Sequence, residues 1–70
     1  MFKIYGAQWC TFCKKAKSLL DMEGKSYTFV DIESDVEACK FLLEKDAQTI
    51  PQIYKDDVLI GGYSDLVALK

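Results

Sequence analysis

Two cysteines separated by two residues, Cys10 and Cys13, are the side chains of this sequence best suited to carry out chemistry. Two thiols at this spacing serve in proteins as a structural bridge, as part of a metal site or as a reversible disulfide. A bridge across so short a loop restrains little of the unfolded chain, so it would contribute little stability. We therefore predict a catalytic pair whose disulfide forms and breaks during a reaction.

The pair is expected at the start of a helix, with Cys10 at its N-terminus and Cys13 about one turn later. Residues three apart on a helix have Cβ atoms about 5–6 Å apart, a gap that small adjustments can close into a disulfide. The free amides and the positive end of the helix dipole favour a thiolate at Cys10. The chain has no histidine, so a cysteine–histidine pair is excluded and the helix must activate the thiol.

A metal site is the main alternative for these thiols. Structural zinc takes four cysteine or histidine ligands, and beyond the pair the chain offers only Cys39. Cys39 is predicted on the apolar face of the second helix, where it would act as a small hydrophobic residue. We therefore expect no metal. A [2Fe-2S] cluster between two chains, held by Cys10 of each and two external thiols, remains an alternative.

Alternating apolar residues and turn signals predict seven elements that position the pair. Strands are expected at residues 2–5, 26–32, 52–55 and 58–60, and the last two would form a hairpin about Asp56 and Asp57. The first helix follows Cys10 and ends near Gly24. Ser34 and Glu37 form a capping-box pattern that starts the second helix, whose inner face would carry Val36, Cys39, Leu42 and Leu43. Ser64 is expected to cap the third helix.

The order of these elements is strand, helix, strand, helix, strand, strand, helix (β-α-β-α-β-β-α). The first three would form a right-handed unit with parallel strands, and the last two strands an antiparallel pair. This predicts an α/β fold with a four-stranded mixed sheet and helices on both faces. A pair of cysteines separated by two residues beside such a unit is typical of thioredoxin-like redox proteins.

Length and charge narrow the class of protein further. The chain has 70 residues, enough for one domain, and carries a net charge of −2. It shows no basic patch of the kind that neutralises nucleic-acid phosphates, so nucleic acid is not an expected partner. No apolar run approaches the ~20 residues that span a bilayer, and the polar N-terminus does not resemble a signal peptide. We expect a monomer in a reducing cytoplasm, with no membrane partner.

Three motifs, in this order, resemble the glutaredoxin family: CTFC at 10–13, TIPQIY at 49–54 and GGYSDL at 61–66. The resemblance implies a thioredoxin fold over residues 1–70. It also implies reduction of protein disulfides and glutathione mixed disulfides, with glutathione as co-substrate, Cys10 as nucleophile and Cys13 as resolving thiol. Pro51 resembles the family's cis-proline, which would hold the backbone of Ile50 open to an extended substrate.

The same resemblance implies a glutathione site made of eight residues. These are Gln8, Trp9, Phe12, Ile50, Pro51, Tyr63, Ser64 and Asp65. Within it, Tyr63, Ser64 and Asp65 would bind the γ-glutamyl end, where helix amides suit a carboxylate and Asp65 an ammonium.

Several residues of the chain depart from the family's usual pattern. Thr11 replaces the usual proline. Gln8 stands where the family often has a basic residue that contacts the glycine carboxylate of glutathione. Lys45 or Gln48 could make that contact instead. Trp9 is more similar to thioredoxin and is expected to form a wall of the substrate groove.

Phe12 fits two predictions equally well. It could cover the disulfide and touch substrate, or it could pack in the core, because its helical spacing with Ala16 suits a buried face.

Two other functions remain open at this point. One is a thioredoxin-like electron donor, for example to ribonucleotide reductase, that a flavoprotein reductase recharges. The other is a carrier that holds an iron–sulfur cluster between two chains. The favoured prediction is the glutathione-dependent enzyme, with glutathione and disulfide-containing proteins as its partners.

Overall fold

A computed structural model describes residues 1–69 and contains the seven predicted elements in the predicted order. The strands are β1 (Phe2–Gly6), β2 (Tyr27–Asp31), β3 (Gln52–Lys55) and β4 (Val58–Gly61), and the helices are α1 (Thr11–Met22), α2 (Val36–Glu44) and α3 (Tyr63–Ala68). Lys70, the last residue of the predicted domain, lies outside the described residues.

The four strands form one mixed sheet in the order β2-β1-β3-β4. β1 and β2 are parallel, whereas β3 is antiparallel to both β1 and β4, as predicted. Tyr5, near the end of β1, pairs with Gln52, the first residue of β3. The segment that leaves β1 and the segment that enters β3 therefore meet at one edge of the sheet, which brings Cys10 and Pro51 together.

The turn between β3 and β4 confirms the predicted hairpin. Asp56 and Asp57 have φ angles of 49° and 69°, so both lie in the left-handed region. A two-residue hairpin needs positive φ at both central positions to match the twist of its strands, and aspartate tolerates this conformation better than most residues.

Helices cover both faces of the sheet, also as predicted. On one face α1 and α3 pack against the strands, where Ile4, Leu20 and Ile53 have no exposed surface. On the other face Tyr5 packs against Ala38 and Leu42 of α2. Successive side chains of β1 point to opposite faces of the sheet, so Ile4 packs in one core and Tyr5 in the other.

The prediction for α2 is wrong at its cap and for two of the four residues expected on its inner face. Asp35, not Ser34, is the N-cap, and its carboxylate accepts a hydrogen bond from the backbone amide of Ala38 at 3.0 Å. Ser34 belongs to a turn in which its amide donates to the carbonyl of Asp31. The helix buries Ala38 and the predicted core residue Leu42, which lie four residues apart on one face. It leaves Val36 and Leu43 exposed and Cys39 half-buried.

Replacing Asp35 with alanine is expected to lower the free energy of unfolding by about 0.5–2 kcal/mol, because α2 loses the acceptor at its first turn. Ser34→Ala, on an exposed turn beside it, is the matched control and is expected to cost less. Urea denaturation of both variants measures the difference. Equal losses in the two variants would contradict the assignment of the cap.

The predicted cap of α3 is also wrong. The helix begins at Tyr63, one residue before Ser64, and Gly62 is its N-cap. The carboxylate of Asp65 reaches back and accepts the amide of Gly62 at 2.9 Å. This bond satisfies a donor at the start of the helix, so Ser64 is not needed as a cap.

Candidate active site

Cys10 occupies the N-cap of α1, at the edge of the sheet where β1 ends. Its backbone is extended, and its sulfur accepts a hydrogen bond from the backbone amide of Cys13 at 3.3 Å. The same thiol donates to the carbonyl oxygen of Ile50 at 3.8 Å. The peptide bond between Ile50 and Pro51 is cis. A helix amide and the loop before β3 therefore hold the first sulfur from two sides. The position of Cys10 at the helix start predicts the first contact, and the family resemblance implies the second.

The two cysteines differ in how accessible they are. The exposed fraction is 7% for Cys10 and 0% for Cys13. A substrate sulfur arriving from solvent can reach Cys10 first, and it can reach Cys13 only through Cys10. The structure therefore supports Cys10 as the attacking sulfur and Cys13 as the sulfur that acts second.

Burial also changes the acidity of the second thiol. Burial, and after it the hydrogen bond with Cys10, raise the pKa of Cys13 from an ordinary value of 9.0 to about 12. A hydrogen bond from the backbone of Ala7 and the charge of Lys17 act in the opposite direction and are weaker. Cys13 is therefore a neutral thiol at physiological pH.

Gly6, at the end of β1, provides the space that the Cys13 sulfur occupies. A Cβ atom at position 6 would lie 2.3 Å from that sulfur and 3.3 Å from the Cβ of Cys13. Contacts below 3.0 Å are essentially absent from proteins, so any side chain here would displace the sulfur. The first strand was predicted to end at residue 5, and nothing in the sequence links Gly6 to Cys13.

The reduced protein is expected to lose stability as the pH rises from about 9 towards 12. In this interval the unfolded chain loses the Cys13 proton, whereas the folded chain retains it because its pKa is about 12. Ionisation therefore favours the unfolded state. Denaturant unfolding of the wild type and of Cys13→Ala across this range tests the effect. An equal loss of stability in Cys13→Ala, which lacks the thiol, would contradict it.

Two aromatic side chains stand at the surface beside Cys10. Trp9 is 65% exposed, and its indole nitrogen donates to the carboxylate of Glu33 at 2.8 Å. Phe12 is 53% exposed, and its ring centroid lies 5.9 Å from that of Tyr63. The prediction that Phe12 packs in the core is therefore wrong, and its contact with substrate stays a prediction. Glu33 was missed because nothing in the sequence links it to Trp9.

The start of α3 lies against the cis-proline. A Cβ atom at Gly62 would be 3.7 Å from the carbonyl oxygen of Pro51. Pro51 is buried, and Ser64 is exposed and follows Tyr63 at the first turn of α3. The motifs at 10–13, 49–54 and 61–66 thus meet at one edge of the sheet.

The two predicted substitutes for a basic residue have different positions. The amine of Lys45 lies 5.6 Å from the centre of the Phe41 ring, in a cavity that also contains Met1 and Asp56 at the opposite end of β1. It is therefore remote from Cys10. Gln48 lines a separate cavity with Ile50, and Gln8 is exposed beside the cysteine pair.

The third cysteine does not join the pair. Cys39 lines the same cavity as Gln48 and Ile50, on the α2 side of the sheet. Within residues 1–69, no group of three or more cysteine, aspartate, glutamate or histidine side chains is placed to hold a metal ion. In the same part of the chain, no helix has the length and apolar character needed to cross a membrane.

Known proteins resemble this chain in sequence and in structure. The glutaredoxin family model matches residues 2–60. Glutaredoxin 3 of Escherichia coli is 34% identical over 68 residues, which are 96% of this chain and 82% of that relative. A buckwheat glutaredoxin–glutathione complex superimposes with a TM-score of 0.82 at 18% identity; 96% of this chain aligns and spans 64% of the buckwheat chain. The glutaredoxin-like NrdH-redoxin from Escherichia coli gives 0.83 at 19% identity, covering 91% of this chain and 84% of that one.

The mixed sheet with its three helices is the thioredoxin fold. The cysteine pair at the start of α1 and the match to the glutaredoxin family define a thiol–disulfide oxidoreductase. The chain belongs to the glutaredoxin family. The fold, the family and the general activity predicted from the sequence are thereby confirmed. The roles of the individual site residues stay predictions.

Proposed function

We propose that this protein is a glutathione-dependent enzyme that reduces protein disulfides and glutathione mixed disulfides, acting as a monomer in the cytosol. The observation that carries this proposal is the position of the Cys10 sulfur, between the amide of Cys13 and the carbonyl of Ile50. An amide that donates to sulfur favours negative charge there, and the thiolate is the form that attacks disulfides.

In the first step the Cys10 thiolate attacks one sulfur of the substrate disulfide. The substrate sulfur–sulfur bond breaks, a bond to Cys10 forms, and the other substrate sulfur leaves as a thiolate that takes up a proton. The carbonyl of Ile50, beside the cis-proline, would accept a backbone amide of the extended substrate and align its sulfur with Cys10.

In the second step a thiol attacks Cys10 or the sulfur bound to it. With a protein substrate, Cys13 attacks Cys10, releases the reduced substrate and leaves a Cys10–Cys13 disulfide. Its proton must pass to the departing sulfur, because burial keeps Cys13 neutral. Two glutathione molecules then reduce that disulfide and become glutathione disulfide. With a glutathione mixed disulfide, one further glutathione completes the reaction directly.

The proposed glutathione site surrounds Cys10. Phe12 and Tyr63 would contact the tripeptide, and the backbone of Ile50 and the ring of Pro51 would pair with its cysteine. Ser64 and the amides at the start of α3 would bind the γ-glutamyl carboxylate. Only one oxygen of Asp65 accepts the Gly62 amide, so the other is available for the ammonium group.

Gln8 and Trp9 complete the proposed site on the other side of Cys10. Both are exposed, so they would contribute a polar amide and an aromatic wall in place of a positive charge. The buckwheat protein of the same fold was crystallised with glutathione, which supports the choice of co-substrate.

The reductant decides between this proposal and its nearest alternative. We expect turnover of a glutathionylated peptide when glutathione and glutathione reductase supply the electrons. Turnover that requires thioredoxin reductase, with none from glutathione, would contradict the proposal. The comparison uses the same protein and the same peptide, so only the source of electrons changes.

A thioredoxin-like electron donor is the second candidate, and the surroundings of Cys10 favour it in one respect. Trp9 precedes Cys10, and Gln8 offers no positive charge for a glutathione carboxylate. NrdH-redoxin, which shares the fold, is described as glutaredoxin-like with a thioredoxin-like activity profile. In this case a flavoprotein reductase would recharge the pair, and ribonucleotide reductase would be a candidate protein substrate.

A further inference from the structure

A shallow groove runs along α1 from the active site towards the other end of that helix. It has a volume of about 390 Å³ and lies between α1 and the first residue of α3. Its lining includes Thr11, Lys14, Lys15, Leu19, Met22 and Tyr63. Thr11 follows Cys10 directly, so this α1–α3 groove begins where a substrate sulfur must be bound.

The α1–α3 groove combines an apolar surface with positive charge. Phe12 packs against Tyr63, which lines the groove, with ring centroids 5.9 Å apart, and Met22, 85% exposed, lines the groove at the end of α1. Between them Lys14 and Lys15 are exposed, and the Lys15 amine lies 5.2 Å from the centre of the Phe12 ring. A partner that covers this surface would gain both apolar burial and contacts for the two amines.

The charge of α1 is opposite to that of the whole chain. Three of the nine basic residues, Lys14, Lys15 and Lys17, lie on α1, although the net charge of the chain is −2. The single acidic residue of the helix, Asp21, accepts a hydrogen bond from the hydroxyl of Tyr27 on β2 and is engaged there. Asp65, at the start of α3, accepts the Gly62 amide. The α1–α3 groove therefore carries positive charge, although the net charge of the protein is negative.

We propose that the α1–α3 groove binds an acidic segment with interspersed apolar residues, located next to the cysteine that Cys10 attacks in a protein substrate. This inference rests on the proposed function and names the class of protein substrate. Charge complementarity and continuity with the active site argue for such a segment. A second copy of this chain would bring the same positive charge to the contact, which disfavours it.

The dimensions of the groove set the length of the segment. Ten residues separate Phe12 from Met22 on α1, which at 1.5 Å per residue is about 15 Å. An extended chain advances about 3.3 Å per residue, so about five residues cover that distance. Acidic side chains among them would face Lys14 and Lys15, and apolar side chains would face Leu19 and Met22.

The test is a single-turnover reaction of the pre-reduced protein, without glutathione. One probe is a peptide with glutamate–leucine repeats on both sides of a single cysteine, capped as a mixed disulfide with 2-mercaptoethanol. A second probe has lysine in place of glutamate, and a third is the capped cysteine alone. Acid quenching and mass spectrometry then give the rate of reduction of each probe.

We expect the wild type to reduce the acidic peptide about tenfold faster than the basic one at low salt, with a smaller ratio at high salt. Lys14→Glu/Lys15→Glu should bring the ratio to about one or below. Lys25→Glu/Lys40→Glu, which makes the same change in net charge away from the groove, should keep the wild-type ratio. A ratio near one in the wild type, or an equal fall in the control, would overturn the proposal.

The third probe separates this inference from the proposed function. If the wild type reduces all three probes at similar rates, the disulfide chemistry stands and the docking surface is wrong. If it reduces none of them, the proposed function itself fails. Neither result can be mistaken for the other.

Discussion

Replacing Cys10 with serine is expected to abolish reduction of every disulfide substrate. A hydroxyl cannot form the mixed disulfide, and Cys13 has no exposed surface through which to replace the lost sulfur. Cys13→Ser should behave differently. It should still reduce glutathione mixed disulfides, because a second glutathione can attack the sulfur bound to Cys10. It should lose most of its activity on protein disulfides, which need the second thiol.

The measurement compares initial rates on a glutathionylated peptide and on a protein disulfide for the wild type and each variant. Cys39→Ser is the matched control, since that cysteine lies in a different cavity, and it should retain full activity on both. Activity in Cys10→Ser would overturn the assignment of the nucleophile. Equal activity of Cys13→Ser on both substrates would remove Cys13 from the mechanism.

Adding a single methyl group at Gly6 is expected to impair both stability and disulfide formation. In Gly6→Ala the new Cβ would lie 2.3 Å from the Cys13 sulfur, so the sulfur must move. Overpacking of this kind typically costs about 1–3 kcal/mol. Reduction of a protein disulfide should slow, because the displaced sulfur no longer lies beside Cys10. Reduction of a glutathione mixed disulfide, which uses Cys10 alone, should change less.

A double-mutant cycle with Cys13→Ala isolates this contact. Without the sulfur the nearest atom is the Cβ of residue 13, at 3.3 Å, which small shifts can accommodate. Gly6→Ala should then be nearly neutral, so the coupling free energy should be about 1–3 kcal/mol. Gly62→Ala, whose nearest contact is 3.7 Å, is the control for a glycine with room. An equal cost of Gly6→Ala in both backgrounds would contradict the proposed clash.

The fold was predictable because local signals and topology agree. Asp56 and Asp57 adopt the left-handed conformations that a two-residue hairpin needs. The two remaining strand–helix units could then be connected in few ways, since parallel crossovers are almost always right-handed. Cys10 was found at the start of α1 because its neighbours mark the helix boundary clearly. The hairpin and the position of Cys10 both depend on the spacing of residues along the chain, which can be read from the sequence.

The errors occurred where two neighbouring residues could each satisfy the same backbone groups. Ser34 and Asp35 are both residue types that cap helices well. In the structure Ser34 belongs to a turn with Asp31, and Asp35 accepts the capping hydrogen bond from the amide of Ala38. At α3, Asp65 reaches back to Gly62 and makes Ser64 unnecessary. On α2, Ala38 and Leu42 lie four residues apart on the buried face, and Val36 is exposed, because the packing of the whole helix against the sheet decides which face is buried.

The remaining site features depend on contacts across the sheet edge, which spacing does not encode. Glu33 meets Trp9 although 24 residues separate them. Gly6 faces the Cys13 sulfur because α1 packs on the end of β1. Such contacts depend on how a helix packs on a sheet, and no local sequence pattern predicts them.

The chain has a single tryptophan, Trp9, and its indole stands in solvent beside the reactive sulfur while it is hydrogen-bonded to Glu33. All indole fluorescence therefore originates one residue from the centre of electron exchange. Because nearby disulfides quench excited indoles, emission intensity should follow the oxidation state of the pair in real time. The molecule thus carries its own optical indicator, and no dye or label is required.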